Sequence, residues 1–191
     1  MPARRSRGKK PKVEDRRYLR PDEAHRLIDA AGKRGRYPFR DRVLVRLVYR
    51  HGLRASEAVN MRWSQVDLDA GVLHVARVKG SSTHSLTATN CVICASCGSK
   101  SPVSMCSRPS VVARCRSMLC NTSRGRQAGR SAKLDVEAHP HMLRHAAGYM
   151  LANEGTDTRL IQAFLGHADI RHTAHYTALS QAARYGARAV G

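Results

Sequence analysis

The stretch HPHMLRHAAGYMLANEGTDTRLIQAFLGHADIRHTAHYTA, residues 139–178, decides the fold of this protein. Apolar side chains recur at helical spacing over residues 142–153 and again over residues 158–165, which predicts two amphipathic helices. Gly166 follows the second helix, and glycine is a common residue at the end of a helix. Another short helix is expected over residues 169–175. The carboxy-terminal part of the chain is therefore predicted to be helical.

The same stretch is rich in side chains that can act on a phosphate group. They are His139, His141, Arg144, His145, His167, His172, His175 and Tyr176. A spacing of three puts His141 and Arg144 on one face of a helix, where both could contact one phosphodiester. Taken alone, the pair also fits a histidine that satisfies a helix end beside a solvated arginine. The pair by itself leaves both interpretations open.

Three more helices are predicted upstream of this region. The first begins near Pro21, because proline suits the first turn of a helix, and it ends at Gly32. The second covers residues 40–50, where apolar residues recur between arginines. The third is a short helix within residues 54–61. Most of the regular structure is therefore expected to be α-helical.

A β-hairpin is expected after these helices. A strand is predicted over residues 72–78, where β-branched residues follow a turn at residues 69–71. Lys79 and Gly80 are expected at the hairpin turn, and residues 82–86 as the returning strand. The predicted fold class is mainly α with a small antiparallel β-sheet.

The composition favours a polyanionic partner. Among 191 residues, 34 Lys and Arg stand against 14 Asp and Glu, which gives a formal net charge of +20. Nucleic acid is the default partner for such a chain. No stretch approaches the roughly 18 apolar residues that span a bilayer, so no membrane partner is expected. The basic amino-terminal sequence lacks the apolar segment of a secretory signal, and a cytoplasmic, nucleoid-associated location is expected.

The order of the motifs is more specific than any one of them. Arg54 lies in HGLRASEA, Lys79 lies in RVKGSSTH, and HPHMLRH precedes FLGHADIRHTAHYT. This order resembles the active-site series of tyrosine recombinases of the phage integrase family. That series is an arginine, a hairpin lysine, His-x-x-Arg, a histidine in a Leu-Gly-His turn, and a tyrosine nine residues later. The matching residues in this sequence are Arg54, Lys79, His141, Arg144, His167 and Tyr176.

Residues 139–178, together with YRHGLRASEAVNMRWSQVDLD, resemble a narrower group, the small fimbrial phase-variation recombinases that invert a promoter segment. The resemblance implies site-specific DNA recombination, as inversion or integration, through a 3′-phosphotyrosyl intermediate. It implies double-stranded DNA with inverted-repeat recombination sites as the partner, and a homotetramer on that DNA. The rejoining reaction would need neither ATP nor a metal.

Phosphate chemistry supports the roles that the resemblance implies. Arg54 and Arg144 are candidates for neutralising the non-bridging oxygens of a phosphate under attack. Tyr176, with a free pKa of about 10, needs base catalysis and positive charge nearby to act as the nucleophile. The resemblance also implies that His141 assists proton transfer and that His167 holds a phosphate oxygen.

Two further residues each have two interpretations. The resemblance makes Lys79 the general acid that protonates the leaving 5′ oxygen, and a plain phosphate contact is the alternative. Glu57 lies three residues after Arg54 and could orient that arginine through an i, i+3 pair. An ion pair on the protein surface is the alternative for Glu57.

The cysteines offer a competing metal site. Cys91-x-x-Cys94 is half of a zinc motif, and Cys115 and Cys120 could complete it. No cluster motif matches this spacing well. The histidines of residues 139–175 could also bind a metal, but phosphate chemistry explains them better. No metal and no cofactor are expected.

The chain is predicted to contain a disordered basic arm (residues 1–17), a catalytic domain (residues 18–185) and a tail (residues 186–191). Residues 81–131 are atypical, since they contain twelve Ser, all six Cys and no Asp or Glu. No helical or strand period is evident there. Residues 81–131 are called here the Ser/Cys-rich segment. The family resemblance covers roughly residues 18–87 and 133–185 and is expected to fail between these two ranges.

Two compensating frameshifts would explain the Ser/Cys-rich segment. A catalytically dead DNA-binding remnant is therefore the alternative to an active recombinase. An RNA-associated or ribosome-associated basic protein would explain the charge but not the ordered series of active-site residues.

Overall fold

The computed structural model describes residues 18–33, 38–77, 81–86, 123–136 and 138–178. In chain order, the regular elements are α1 (Pro21–Ala31), α2 (Pro38–His51), α3 (Ala55–Val59), a 3-10 turn (Trp63–Gln65), β1 (Val66–Asp67), β2 (Val72–Ala76), β3 (Ser81–Ser85), α4 (Ser123–Ser131), α5 (Pro140–Asn153), α6 (Thr158–Leu165) and α7 (residues 171–178). The predicted fold class, mainly α with a small antiparallel sheet, is confirmed.

The main hydrophobic core lies between α1, α2, α5 and the sheet. α2 contributes most to it, because only a narrow arginine-bearing stripe of this helix reaches solvent. α1 begins at Pro21, and the Glu23 carboxylate accepts a hydrogen bond from the Arg20 backbone N–H at 2.8 Å. A smaller core contains Ala152, Ile161, Leu165 and Tyr176, and it joins α5 to α6 and α7. The small core is where the predicted site residues gather.

The three strands form one antiparallel sheet in the order β1-β2-β3. In the β2–β3 hairpin Val72 is opposite Ser85 and Ala76 is opposite Ser81. Leu73 of β2 is fully buried, whereas the next residue, His74, is exposed, as expected for a sheet with one face on the core. β2 ends two residues earlier than predicted, and β3 has the predicted length of five residues but begins and ends one residue earlier. Lys79 lies outside the described residues.

α6 is bounded as its sequence predicts. The Asp157 side chain caps the helix by accepting a hydrogen bond from the Arg159 backbone N–H at 2.8 Å. Gly166 ends it in the left-handed conformation, with φ of 64°. This ending directs the turn that carries His167 toward α3 and α5.

The Ser/Cys-rich segment has regular structure at both of its ends, where the sequence predicts β3 but not α4. β3 begins at Ser81, and α4 packs against α1 through small side chains, with Ala128 buried. The Arg26 guanidinium donates to the Ala132 carbonyl at 3.3 Å, just after the end of α4. Among the residues of α4 whose burial is described, Ala128 and Gly129 are the buried ones. Such small residues leave no apolar period in the sequence, which is why α4 was not predicted.

The predicted arm, the predicted tail and all six cysteines lie outside the described residues. Within the residues that the structure describes, no helix is both long enough and apolar enough to cross a membrane.

Candidate active site

Three arginines converge on the carboxyl end of α6. The carbonyls of residues 164, 165 and 166 accept hydrogen bonds from Nη2 of Arg77, Arg144 and Arg54, at 2.6, 2.5 and 2.9 Å respectively. The last carbonyls of a helix lack partners within the helix and carry the negative end of its dipole. The end of α6 thus gathers three positive charges that are far apart in the sequence.

Arg54 is oriented by Glu57. The Arg54 backbone N–H donates to Glu57 Oε2 at 2.8 Å, and Nη1 donates to Oε1 at 2.7 Å. The Glu57 side chain is only 5% exposed, so this is not a surface ion pair. Burial raises the pKa of Glu57, but the hydrogen bonds from Arg54 and the charge of Arg77 outweigh burial and lower the pKa overall. Of the two interpretations of Glu57, the orienting pair is the one the geometry supports.

Arg144 is almost fully buried on α5. Its Nη1 donates to the carbonyl of Gly52 at 2.5 Å. Burial, followed by the charges of Arg54 and Arg77, lowers the pKa of Arg144 to about 10, which leaves it cationic at neutral pH. A Cβ at residue 52 would lie 2.3 Å from Leu165 Cδ2, and φ there is +57°, so only glycine fits.

Tyr176 is fully buried among aromatic rings. Its hydroxyl oxygen lies 2.6 Å from Nδ1 of His145. The ring stacks on His167 with a centroid separation of 6.3 Å and meets Tyr149 edge-on at 4.9 Å. Burial raises the pKa of Tyr176 to about 12, although the charge of Arg144 acts in the opposite direction. The tyrosine is therefore protonated at neutral pH in this state.

Two histidines beside Tyr176, His145 and His167, are neutral at pH 7. Burial, followed by the neighbouring His175, lowers the pKa of His145 to about 4. Burial, followed by the charge of Arg144, lowers the pKa of His167 to about 4. Nδ1 of His167 lies 2.8 Å from Oγ1 of Thr173, which fixes the ring. A neutral imidazole can accept a proton, so either ring could serve as a base.

The structure brings Arg54, Arg144, His167 and Tyr176 to one place, as the sequence predicts. His141 lies in the first turn of α5 with an exposed side chain, and the ring in contact with the Tyr176 hydroxyl belongs to His145. Sequence reasoning named His145 among the phosphate-active side chains but gave it no role. Its spacing of four from His141 places both on one face of α5, which was the available signal.

Sequence reasoning missed Arg77. This residue immediately follows β2, and its guanidinium is buried among groups from four other parts of the chain. Two of its partners, Glu57 and Phe164, are 20 and 87 residues away. No local pattern marks such a residue.

In the part of the chain that the structure describes, no three His, Cys, Asp or Glu side chains are grouped so that they could hold a metal ion. The proposed cysteine site lies outside that part of the chain.

The sequence profile of the phage integrase family matches residues 17–95 and 120–183, well over half of the chain. This protein belongs to the phage integrase family. Within the Ser/Cys-rich segment the match leaves out residues 96–119 only, so the break in the resemblance is shorter than the predicted one over residues 88–132.

Several members of the family resemble this chain over most of its length. Type 1 fimbriae regulatory protein FimE of Escherichia coli (strain K12) is 36% identical, and the alignment covers 89% of each protein. Type 1 fimbriae regulatory protein FimB of the same strain is also 36% identical, over 90% of this chain and 88% of that protein. Tyrosine recombinase XerC of Xylella fastidiosa (strain 9a5c) is 37% identical over 73% of this chain and 49% of that protein.

Solved structures of integrase-family proteins share the fold. XerA recombinase superimposes with a TM-score of 0.70 at 25% identity, over 90% of this chain and 64% of that chain. XerH site-specific recombinase, bound to its palindromic difH substrate, superimposes with a TM-score of 0.67 at 19% identity, over 91% of this chain and 52% of that chain. This chain spans less than two thirds of either structure.

Proposed function

We propose that this protein is a site-specific DNA recombinase that cleaves and rejoins DNA through Tyr176. One observation carries the proposal: the Tyr176 hydroxyl oxygen lies 2.6 Å from Nδ1 of His145, and the charge of Arg144 opposes the rise in the tyrosine pKa that burial causes. A hydroxyl next to a base and a fixed cation is the arrangement that nucleophilic attack on a phosphate requires.

Arg54 and Arg144 would bind the phosphate under attack. Arg54 is the more accessible of the pair, with 30% of its side chain exposed, whereas Arg144 is buried. A phosphodiester between them would receive charge-assisted hydrogen bonds to its non-bridging oxygens, and these bonds strengthen as charge develops in the transition state. Arg54 would thus meet the DNA first, and Arg144 would stabilise the reacting phosphate.

The covalent step exchanges one phosphate ester for another. The Tyr176 oxygen attacks phosphorus, the bond from phosphorus to the 5′ oxygen breaks, and the phosphate stays joined to the 3′ end of the cut strand. The tyrosine proton passes to His145, and Lys79 supplies a proton to the leaving 5′ oxygen. The reverse step rejoins the strand without ATP, because the phosphotyrosyl bond retains the energy of the diester.

His145 is a better candidate than His141 for the group that accepts the tyrosine proton. The ring is neutral at pH 7, and with its proton on Nε2 the Tyr176 hydroxyl donates to Nδ1. His141 is exposed at the start of α5, where it could contact the phosphate or the DNA backbone. His167 would hold a phosphate oxygen while its Nδ1 stays on Thr173.

The partner would be double-stranded DNA with inverted-repeat recombination sites, bound by four copies of the protein. The similarity to the fimbriae regulatory proteins FimE and FimB favours inversion of a regulatory DNA segment. The net charge of +20 supports DNA as the partner, and binding should weaken strongly as salt rises. Such a protein would work on the nucleoid in the cytoplasm.

One observation favours a second candidate, a DNA-binding remnant that no longer cuts. The family match omits residues 96–119, and the Ser/Cys-rich segment has no acidic residue. Two compensating frameshifts would produce such a segment. The remnant would bind recombination sites without forming a covalent adduct.

Nicked duplexes test the proposal. The purified protein is incubated with duplexes from the inverted repeats flanking its gene, nicked so that cleavage releases a short 5′-hydroxyl fragment that cannot be rejoined. We expect a protein–DNA band that survives SDS with the wild type and is absent with Tyr176→Phe. Tyr49→Phe is the matched control, since Tyr49 is also buried but packs against His25 instead. No adduct from folded, DNA-bound wild-type protein would favour the remnant.

A further inference from the structure

Of the three arginines in the site, Arg77 makes the most side-chain hydrogen bonds. Its Nη1 donates to Glu57 Oε2 at 2.5 Å, and its Nη2 contacts the carbonyls of Phe164 at 2.6 Å and His51 at 3.4 Å. On the hairpin side, Nε donates to Ser82 Oγ at 3.2 Å. We propose that Arg77 is a positioning residue for the recombination reaction proposed above, acting through Glu57 on Arg54 and Arg144.

Glu57 lies within reach of all three arginines. Oε1 accepts from Arg54, and Oε2 accepts from both the Arg54 backbone and Arg77. Nη1 of Arg144 is only 4.0 Å from the same Oε2. Arg77 therefore holds the carboxylate on the Arg54 side. Without Arg77, the buried carboxylate would turn toward Arg144 and occupy a cation that the phosphate needs.

Arg77 itself is too deeply buried to contact DNA. Its side chain is 2% exposed, compared with 30% for Arg54. A Cβ at Gly166 would lie 3.1 Å from Arg77 Cδ, so the glycine before His167 leaves room for this arginine. Arg77 thus acts from behind the site, on the groups that face the phosphate.

The bond to Phe164 gives Arg77 a second effect on the site. Arg77, Arg144 and Arg54 each hold one of the three successive carbonyls 164–166. These bonds set how the turn with His167 lies against α3 and α5. Arg77 thereby fixes Glu57 and the end of α6 relative to each other.

The first test measures single-turnover cleavage of the nicked duplexes. We expect Arg77→Gln to slow cleavage by about 100-fold, because a small misplacement of a catalytic group has that effect. The affinity for the duplex should stay within about twofold of the wild type, because Arg77 does not reach the DNA. Arg42→Gln removes the same charge from an exposed arginine that pairs with Asp29, and it should leave the cleavage rate unchanged.

A double-mutant comparison separates positioning from general loss of structure. In a Glu57→Gln background, Arg77→Gln should slow cleavage by much less than 100-fold, because the carboxylate through which it acts is already gone and only its bond to the end of α6 remains. Glu57→Gln alone should reproduce the Arg77→Gln defect, and it carries the test if Arg77→Gln fails to fold in a thermal melt. A full 100-fold loss in both backgrounds, or no loss in either single variant, would overturn the inference.

A crystal structure of Arg77→Gln gives a readout that does not depend on cleavage. We expect the Glu57 carboxylate to move from 4.0 Å to hydrogen-bonding distance of Arg144, about 3 Å. A carboxylate that stays on Arg54 would contradict the inference. Absence of any adduct from the wild type would instead contradict the proposed recombinase activity, and the crystal structure would still decide the role of Arg77.

Discussion

The two sides of the site are held by different forces. On one side, three arginines are fixed by the carbonyls of residues 164–166 and by the buried carboxylate of Glu57. On the other side, Tyr176 is packed among aromatic rings, and its hydroxyl contacts the neutral His145. The arginine side is charged and fixed, whereas the tyrosine side is neutral and protonated.

This difference assigns separate tasks to the two sides. Fixed cations cost little reorganisation when a phosphate arrives, so they favour the charged transition state. A buried tyrosine with a pKa of about 12 stays a hydroxyl until a phosphate and a base are both in place. In the proposed reaction, Tyr176 would therefore stay inactive away from DNA, while the arginines that would bind the phosphate are already in place.

Removing the Arg144 guanidinium should have the largest effect on the cleavage rate. Arg144→Ala should lower the single-turnover cleavage rate by about 100- to 1,000-fold, because it removes a fixed donor to the developing charge. It also leaves the buried carbonyls of Gly52 and Leu165 without their donor, which should cost about 1–3 kcal/mol of unfolding free energy. Quench-flow cleavage and urea unfolding measure the two effects. A cleavage rate near that of the wild type would show that the arginine side is not where phosphate binds.

Changing the proton acceptor tests the tyrosine side. His145→Gln keeps a polar side chain near the Tyr176 hydroxyl but cannot take its proton, so cleavage at pH 7 should fall by about 100-fold. The rate should recover partly as pH rises toward the pKa of the tyrosine. His141→Gln is the comparison variant, since His141 is exposed one turn away. A rate in His145→Gln that is unchanged and equally pH-dependent would remove His145 from the mechanism.

The sequence predicted most of the features that depend on residues close together in the chain. The apolar stripe over residues 158–165 and the closing Gly166 predicted α6 to the residue. α4 was not predicted, because its buried face is built from small residues such as Ala128. In the site, the ordered motif led to Arg54 and Tyr176. Arg77 was missed because its contacts come from distant parts of the chain and exist only after folding.

Filling the space behind the nucleophile should disturb the tyrosine side without touching the arginines. A Cβ at Gly148 would lie 2.7 Å from the Tyr176 ring. Gly148→Ala should therefore lower the free energy of unfolding by about 1–3 kcal/mol and displace the ring. Gly129→Ala on α4 is the matched control, because its new Cβ meets only ordinary contacts at 3.6 Å. Thermal melts and cleavage rates measure both variants. Equal stability of the two would mean that the ring is not packed as described.

Acid should weaken both sides. Burial lowers the pKa of His51 to about 3 and the pKa values of His84, His145 and His167 to about 4. The unfolded chain, with ordinary histidines of pKa about 6.5, binds more protons than the folded protein between pH 6.5 and 4. The contribution of these histidines to the free energy of unfolding should therefore be fully present above pH 6.5 and fall as pH drops toward 4. Melting temperatures at pH 7 and pH 5 test this, and a higher melting temperature at pH 5 would contradict it.

Mapping the covalent link tests the central proposal most directly. The adduct from a nicked duplex is digested with nuclease and trypsin, and the modified peptide is sequenced by mass spectrometry. We expect a nucleotide 3′-phosphate on Tyr176, in the peptide HTAHYTALSQAAR of residues 172–184. A link on another residue, or no link from protein that is folded and bound to the duplex, would contradict the assignment of Tyr176 as the nucleophile.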